Sequence, residues 1–279
     1  MGTGKVPDMI RAMNTKRAFG EQLRDWRQRR HLSQLDLANE LQVSTRHLSF
    51  VETGRSLPSR AMVLRLAESL DVPLRERNTL LVAAGYAPMY AARPFTDPAL
   101  SAARTAIGLI LNGHEPYPAL LVDRHWTLVS ANRAAMGFLA GVDAALVAPP
   151  INVLRVSLHP DGLAPRIVNL AQWRTHVIAR LARDLELTAD ATLAQLITEI
   201  RGYPGGEEVE PVPDMGGVAV PLQLRTDAGV LSMISTTTVF GTAVEVTLSE
   251  LMLEAFYPAD DFTSRAFHPL DSPSHRGTE

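Results

Sequence analysis

The stretch that decides the fold runs from Leu32 to Arg55 and reads LSQLDLANELQVSTRHLSFVETGR. Ser33 is a good N-cap for a helix over Gln34–Leu41, and Ser44 can cap a following helix that ends near Thr53. Apolar side chains at helical spacing predict a small core between these two crossed helices. The predicted core residues are Leu37, Ala38, Leu41, Val43, Leu48 and Val51.

Helical periodicity extends in both directions from this stretch, over Arg17–Ala84. A further helix is expected over Arg60–Leu70, and another begins at Pro73 and ends near Gly85. The sequence therefore predicts an all-α domain of five short helices over residues 17–86, preceded by a flexible N-terminus at residues 1–16.

The rest of the chain predicts a second domain of the α+β class over residues 99–262, joined by a proline-rich linker at residues 87–98. Two apolar runs around Asp123-Arg124 predict a β-hairpin. Residues 263–279 are polar and are predicted to be disordered. Helices are expected over Ala99–Asn112, Ala131–Leu139, Leu170–Leu185 and Ala191–Ile200, and strands over Val218–Arg225, Val230–Phe240 and Ser249–Phe256.

Charge divides the chain into a basic and an acidic part. Residues 11–60 hold ten Lys and Arg against five Asp and Glu, a net charge of +5, whereas residues 61–279 carry a net charge of −8. A basic block of domain size indicates that only the first part meets a polyanion.

Several functional classes are excluded or disfavoured by composition and motifs. The chain has no cysteine, which excludes disulfides, thiolate catalysis and cysteine-bound metal. No apolar run is long enough for a membrane span, and the N-terminus is too polar for a secretory signal, so a cytoplasmic protein is expected. The sequence contains no glycine-rich phosphate loop, Gly-x-Ser-x-Gly or His-Glu-x-x-His motif, and the histidines show no metal-ligand spacing. We therefore expect no enzymatic activity and no metal site.

The quoted stretch resembles the Cro/lambda-repressor-like (XRE-type) family of helix-turn-helix regulators, over roughly residues 17–72. This resemblance implies that the helix after Ser44 enters the major groove of double-stranded DNA. Arg46 would read guanine through two hydrogen bonds, and Arg55 would contact phosphate. The implied DNA contacts are Gln34, Ser44, Thr45, Arg46, His47, Ser49, Phe50 and Arg55.

Other residues matched by this resemblance imply scaffold roles. Arg27 and Glu52 match positions that form a structural ion pair between the first and third helices. Gln42 departs from the family, which usually has glycine in that turn, and a left-handed conformation there has an energetic cost. Two readings stay open for Arg24, Arg29 and Arg30, which are expected either to contact phosphate or to form a solvated helix face.

A second resemblance covers most of residues 97–262. The segment Leu120–Leu139, LLVDRHWTLVSANRAAMGFL, resembles the opening of PAS-like domains, with a strand, a turn, a strand and an Asn before a helix. Together with the helix-turn-helix stretch, it makes the chain resemble the bacterial MmyB-like regulators, in which a PAS-like ligand-binding domain follows the DNA-binding domain. The segments at 242–251 and 256–260 are similar to the end of that domain.

The second resemblance implies an apolar pocket for a fatty-acyl or comparable small hydrophobic ligand, with no other cofactor. Apolar candidates for its lining are Trp126, Phe138, Trp173, Val177 and Met233, with Leu139, Leu181 and Met252. An acid head group would need a cationic or amide partner, for which the candidates are Asn132, His176 and Arg180.

Alternatives stay open for the second domain. Apolar residues at helical spacing most often form ordinary core, so this domain could be a ligand-free module for dimerisation or protein interaction. A haem or flavin sensor is a third reading. In each case we expect a homodimer on a pseudo-palindromic operator, with recognition helices about 34 Å apart.

Overall fold

Five consecutive helices and the turns between them fill residues 18–83 of the structure, a computed structural model that describes residues 18–205, 220–240 and 244–268. The helices are α1 (residues 18–29), α2 (Gln34–Glu40), α3 (Thr45–Glu52), α4 (Arg60–Ser69) and α5 (Leu74–Ala83). Ser33, Ser44 and Ser59 each accept a hydrogen bond from the backbone N–H three residues later, and so cap α2, α3 and α4. The predicted five-helix domain is confirmed. The N-terminal residues 1–16, predicted to be flexible, lie outside the described residues.

The turn between α2 and α3 depends on the backbone conformation of Gln42, and the contact between α1 and α3 depends on the small size of Gly20. Gln42 adopts a left-handed φ of 54° between α2 and α3, as the comparison with a family glycine predicted. A Cβ on Gly20 would lie 2.4 Å from the Glu52 carbonyl oxygen, so α1 and α3 can approach closely only with glycine at this position. The predicted core residues are buried, apart from the half-buried Val43.

A buried ion pair joins α1 to α3. Arg27 donates from Nε to Glu52 Oε1 at 2.6 Å and from Nη2 to Glu52 Oε2 at 3.0 Å, while Gln34 donates to the same carboxylate at 2.7 Å. The Glu52 side chain has no exposed surface. Burial alone would raise the pKa of Glu52, but the hydrogen bonds from Arg27 and Gln34 and the charge of Arg27 outweigh it and lower the pKa. The predicted scaffold role of Arg27 and Glu52 is confirmed.

An antiparallel five-stranded sheet forms the centre of the second unit, in the order β2-β1-β5-β4-β3. The predicted hairpin around Asp123-Arg124 is confirmed as β1 paired with β2. The strands are β1 (Ala119–Val122), β2 (Leu128–Ala131), β3 (Leu222–Thr226), β4 (Gly229–Val239) and β5 (Met252–Pro258).

Helices of the second unit share one apolar core with this sheet. The core joins Trp173, Val177 and Leu181 of α9 to Leu224 of β3 and Met233 of β4. The helices of this unit are α6 (Ser101–Gly113), α7 (Arg133–Gly137), α8 (Val153–Leu158), α9 (Leu170–Thr188), α10 (Ala191–Arg201) and α12 (Asp261–Phe267), with short 3-10 turns at Pro98–Leu100 and Ala164–Arg166. The short helix α11 (Val246–Ser249) belongs to the first unit. None of the helices in the described ranges has the length and apolar character of a membrane span.

Two predictions about the C-terminal part are wrong. The last strand begins at Met252 instead of Ser249, because Glu245 accepts a hydrogen bond from Leu248 N at 2.9 Å and starts the short helix α11. The tail is ordered as far as residue 268. The Asp260 carboxylate accepts a hydrogen bond from Thr263 N at 2.7 Å and so caps the start of α12. The buried Thr263 also accepts a hydrogen bond from Ser232 N at 2.9 Å. Residues 269–279 lie outside the described residues.

Domain membership is not contiguous along the chain. The first unit contains residues 18–93 together with 186–188 and 244–249, so the predicted division into 17–86, a linker and 99–262 is too simple. Val246 N donates to Ala91 O at 2.8 Å, and Arg93 N donates to the Glu245 carboxylate at 2.8 Å. Residues 89 and 90 are held by the side chain of Asn78. Most of the predicted linker is thus an ordered part of the first unit.

Replacing Glu52 with alanine should lower the free energy of unfolding of the first unit by about 3–5 kcal/mol, because Arg27 would remain as an uncompensated buried charge. Chemical denaturation followed by circular dichroism measures this change. Glu40→Ala removes an exposed carboxylate from α2 and is the control, with no expected change. Since the pKa of Glu52 is lowered, the wild type should lose this stabilisation as the pH falls from about 4.5 through the folded pKa. Equal stability of the two variants would contradict the assigned role.

Candidate functional site

Seven of the eight residues that the sequence assigned to DNA lie on α3 or directly beside it. Ser44, Thr45 and Arg46 are exposed at the start of the helix, and the Ser44 hydroxyl is the N-cap. His47, Ser49 and Phe50 are half-buried, and Arg55 is exposed after the helix. The structure therefore places five of these seven residues on α3 itself, Ser44 at its N-cap and Arg55 in the turn that follows it.

Phe50 positions two arginines on this surface. The Arg46 guanidinium carbon lies 5.3 Å from the centre of the Phe50 ring, and that of Arg55 lies 5.7 Å from it. Neither arginine makes an ion pair within the described residues. Both cations are available to an anionic or guanine partner, and the shared aromatic ring restricts their conformations.

Gln34 and the arginines of α1 have partners within the first unit. The Gln34 amide donates to Glu52, so at least one of its N–H groups belongs to the scaffold. Arg24 lies 3.6 Å from the same carboxylate. Arg30 donates to the backbone carbonyls of Leu70 and Asp71, which identifies it as a scaffold residue. Arg29 is exposed over the Trp26 ring at 5.4 Å.

The second unit contains an apolar cavity of about 110 Å³. Its wall is formed by the sheet and by helices α7, α8 and α9. Seven of the eight residues that the sequence assigned to a ligand line this cavity, namely Trp126, Phe138, Trp173, His176, Val177, Arg180 and Met233. Leu139 also lines the cavity, whereas Leu181 and Met252 are not part of the lining.

Asn132 lies outside the cavity lining and has a structural task. Its Oδ1 accepts hydrogen bonds from Ala119 N and Ala135 N, both at 3.0 Å, and its Nδ2 donates to Tyr117 O at 2.7 Å. The side chain is therefore engaged in capping α7 and in fixing the start of β1. An Asn before a helix suits a cap as well as a ligand, and the sequence did not distinguish the two.

A strained turn carries Trp126 to the cavity. Trp126 has a φ of 64°, which is rare for an aromatic residue. The turn is held by Asp123, whose carboxylate accepts hydrogen bonds from His125 N at 2.8 Å and Thr127 N at 2.9 Å. Strained residues of this kind concentrate at ligand sites, which makes Trp126 a functional candidate on independent grounds.

The polar end of the cavity is built from His176, Arg180 and Glu254. Arg180 donates to the two oxygens of Glu254 at 3.0 and 2.9 Å, and its guanidinium carbon lies 4.4 Å from the centre of the Trp126 ring. The His176 ring stacks on Trp173, with 5.5 Å between centroids. Burial and then the charge of Arg180 lower the pKa of His176, which favours the neutral imidazole.

Glu254 is the residue of this site that the sequence reasoning missed. A signal was present, because a lone carboxylate within the apolar strand Met252–Pro258 must face either solvent or a buried cation. Its partner, 74 residues away in α9, could not be inferred from spacing. Within the described ranges, no group of three or more His, Cys, Asp or Glu is placed to hold a metal ion.

Comparison with known proteins agrees with both parts of this description. Residues 18–80 match a helix-turn-helix domain family, and residues 103–270 match the family described as the MmyB-like transcription regulator ligand binding domain. No curated protein matches the chain. The second match spans more than half of the 279 residues. The chain therefore belongs to the MmyB-like transcription regulators.

Proposed function

We propose that this transcription regulator reads a specific DNA sequence with α3 and that a small hydrophobic effector in the cavity of the second unit controls it. The observation that carries the proposal is the apolar cavity, whose lining includes only a few polar side chains, among them the paired Arg180 and Glu254. Preformed apolar cavities with a small number of convergent polar groups are the usual form of small-molecule sites.

The DNA-binding part of the proposal assigns base reading to Arg46. Its guanidinium is exposed near the start of α3 and rests on Phe50, so that it can donate two hydrogen bonds to guanine O6 and N7. Arg55 would contact phosphate and add affinity without selecting sequence. Gln34, Ser44, Thr45, His47 and Ser49 would supply further contacts to the backbone or base edges.

A homodimer on double-stranded DNA belongs to the same proposal. A single α3 reads only one half-site, and two copies of the chain would place two recognition helices on successive major-groove faces about 34 Å apart. The operator is therefore expected to be pseudo-palindromic. Leu109 and Ile110 of α6 are 69% and 49% exposed, and they offer apolar surface of the kind that subunit interfaces bury.

The effector part of the proposal concerns a fatty-acyl-like molecule. Trp126, Phe138, Trp173, Val177 and Met233 would contact its hydrocarbon chain. A cavity volume of about 110 Å³ is several times what one water molecule requires. The cavity can therefore admit a chain of several methylene groups. The alternative is a ligand-free module for dimerisation, in which the same residues form a loosely packed core.

Arg46→Ala should reduce discrimination between the operator and unrelated DNA by roughly 5- to 150-fold, the range expected when one bidentate guanine contact worth about 1–3 kcal/mol is lost. The operator is first selected from random DNA with the wild-type protein, and affinities are then measured by fluorescence anisotropy. Arg29→Ala is the matched control, because Arg29 is also exposed over an aromatic ring but lies on α1. Unchanged discrimination in Arg46→Ala would show that α3 does not read bases through this residue.

Ala135→Trp should weaken the binding of acyl compounds at least about tenfold, because Ala135 lines the cavity and the indole would fill part of it. Ala134→Trp alters the neighbouring residue of α7, which does not line the cavity, and should bind as the wild type does. Binding is measured by native mass spectrometry of the purified proteins and by the rise in melting temperature on adding acyl compounds. A wild-type protein that retains no hydrophobic molecule and gains no thermal stability would favour the ligand-free module.

A further inference from the structure

The two formal charges of the cavity wall neutralise each other. Among the described lining residues, Arg180 is the cation and Glu254 is the anion. Arg180 donates to both Glu254 oxygens and to the Thr237 hydroxyl, and Thr237 donates to Glu254 at 3.0 Å. The three residues therefore form a closed triad. The Glu254 side chain is only 5% exposed, so solvent does little to screen its charge.

The other polar groups at this cavity also suit a neutral partner. The His176 imidazole makes no hydrogen bond to the described residues, and its lowered pKa favours the uncharged ring. Trp173 Nε1 donates to Ser157 at 3.1 Å, whereas the buried Trp126 Nε1 has no acceptor in the described part of the chain. The neutral His176 ring lines the cavity and carries one N–H, which can donate a hydrogen bond to a neutral oxygen on a ligand.

A free carboxylate at this end would therefore meet an arginine whose charge is already compensated and a second carboxylate beside it. Like charges in a poorly solvated site disfavour the ionised form of both groups. An ester, lactone or amide carbonyl can accept a hydrogen bond from His176 or Arg180 without adding a charge to the cavity. Neutral acceptors avoid the desolvation of an ion, which is the larger cost in an apolar cavity.

We infer that the effector cavity selects an uncharged acyl derivative with a carbonyl acceptor, such as an ester or a lactone, over the corresponding free acid. This inference rests on the proposed function, since it names the chemical class of the molecule that the cavity would bind. It also assigns Arg180, Glu254 and Thr237 as the residues that determine this selectivity.

The test compares two probes with the same hydrocarbon chain, methyl dodecanoate and dodecanoic acid. Equilibrium dialysis of the full-length protein at neutral pH, with the probes quantified by mass spectrometry below their aggregation concentrations, gives both dissociation constants. The ester is expected to bind at least about tenfold more tightly than the acid. An acid that binds as tightly as the ester, or more tightly, overturns the inference and leaves the proposed hydrophobic effector site standing.

Glu254→Gln distinguishes the triad from a general preference for apolar probes. Without the Glu254 carboxylate, Arg180 becomes an uncompensated cation, and the ratio of acid to ester dissociation constants should fall at least about tenfold. Glu250→Gln is the matched control, because Glu250 pairs with Arg124 at 3.4 Å and does not line the cavity. Its ratio should equal that of the wild type.

The remaining outcomes are also decisive. A folded Glu254→Gln protein with the wild-type ratio overturns the assignment to the triad. If Glu254→Gln fails to fold, as judged by circular dichroism, the wild-type ratio alone decides between an uncharged and an acidic effector. Binding of neither probe, with no rise in melting temperature, overturns the inference together with the proposed effector site.

Discussion

The geometry of the DNA-binding surface depends on one buried carboxylate. Glu52 lies at the end of α3 with no exposed side-chain surface, so its charge is tolerable only with close donors. Arg27 of α1 and Gln34 of α2 provide them, and the three helices are thereby joined through a single group. The close approach at Gly20 fixes the same contact sterically. The orientation of α3, and hence the exposure of Arg46, follows from this arrangement.

A second Arg–Glu pair, in the other unit, joins a partly exposed arginine to a buried glutamate and has a different consequence. In the first unit the pair is surrounded by scaffold, and other cations such as Arg46 and Arg55 remain without ion-pair partners among the described residues. In the second unit the pair of Arg180 and Glu254 belongs to the wall of a cavity, where it leaves no uncompensated cation. The α3 surface keeps the positive charges of Arg46 and Arg55, which suits a polyanion. The cavity keeps no net charge from Arg180 and Glu254, which suits a neutral molecule.

Sequence signals between neighbouring residues predicted most of the fold. They did not predict which residues pair when they are far apart in the sequence. Ser33 and Ser44 mark helix starts because capping involves neighbouring residues only. Trp126 and Trp173 were candidates for the cavity because the resemblance to the MmyB-like regulators implied an apolar pocket. The pairing of Arg180 with Glu254 depends on strand order, which spacing does not encode. Helix α12 was not predicted, because its N-cap Asp260 lies in a polar segment whose composition resembles that of a disordered tail.

Control of DNA binding by an effector requires that the effector bind two states of the protein with different affinity. Met233 of β4 and Phe256 of β5 line the cavity, and these two strands are consecutive in the chain. Residues 244–249, which lie between the two strands in sequence, belong to the first unit and bond to Ala91 and Arg93. The segment that connects these two strands along the chain is therefore hydrogen-bonded within the DNA-binding unit. Coupling through this segment would require that its hydrogen bonds to Ala91 and Arg93 differ between the two states.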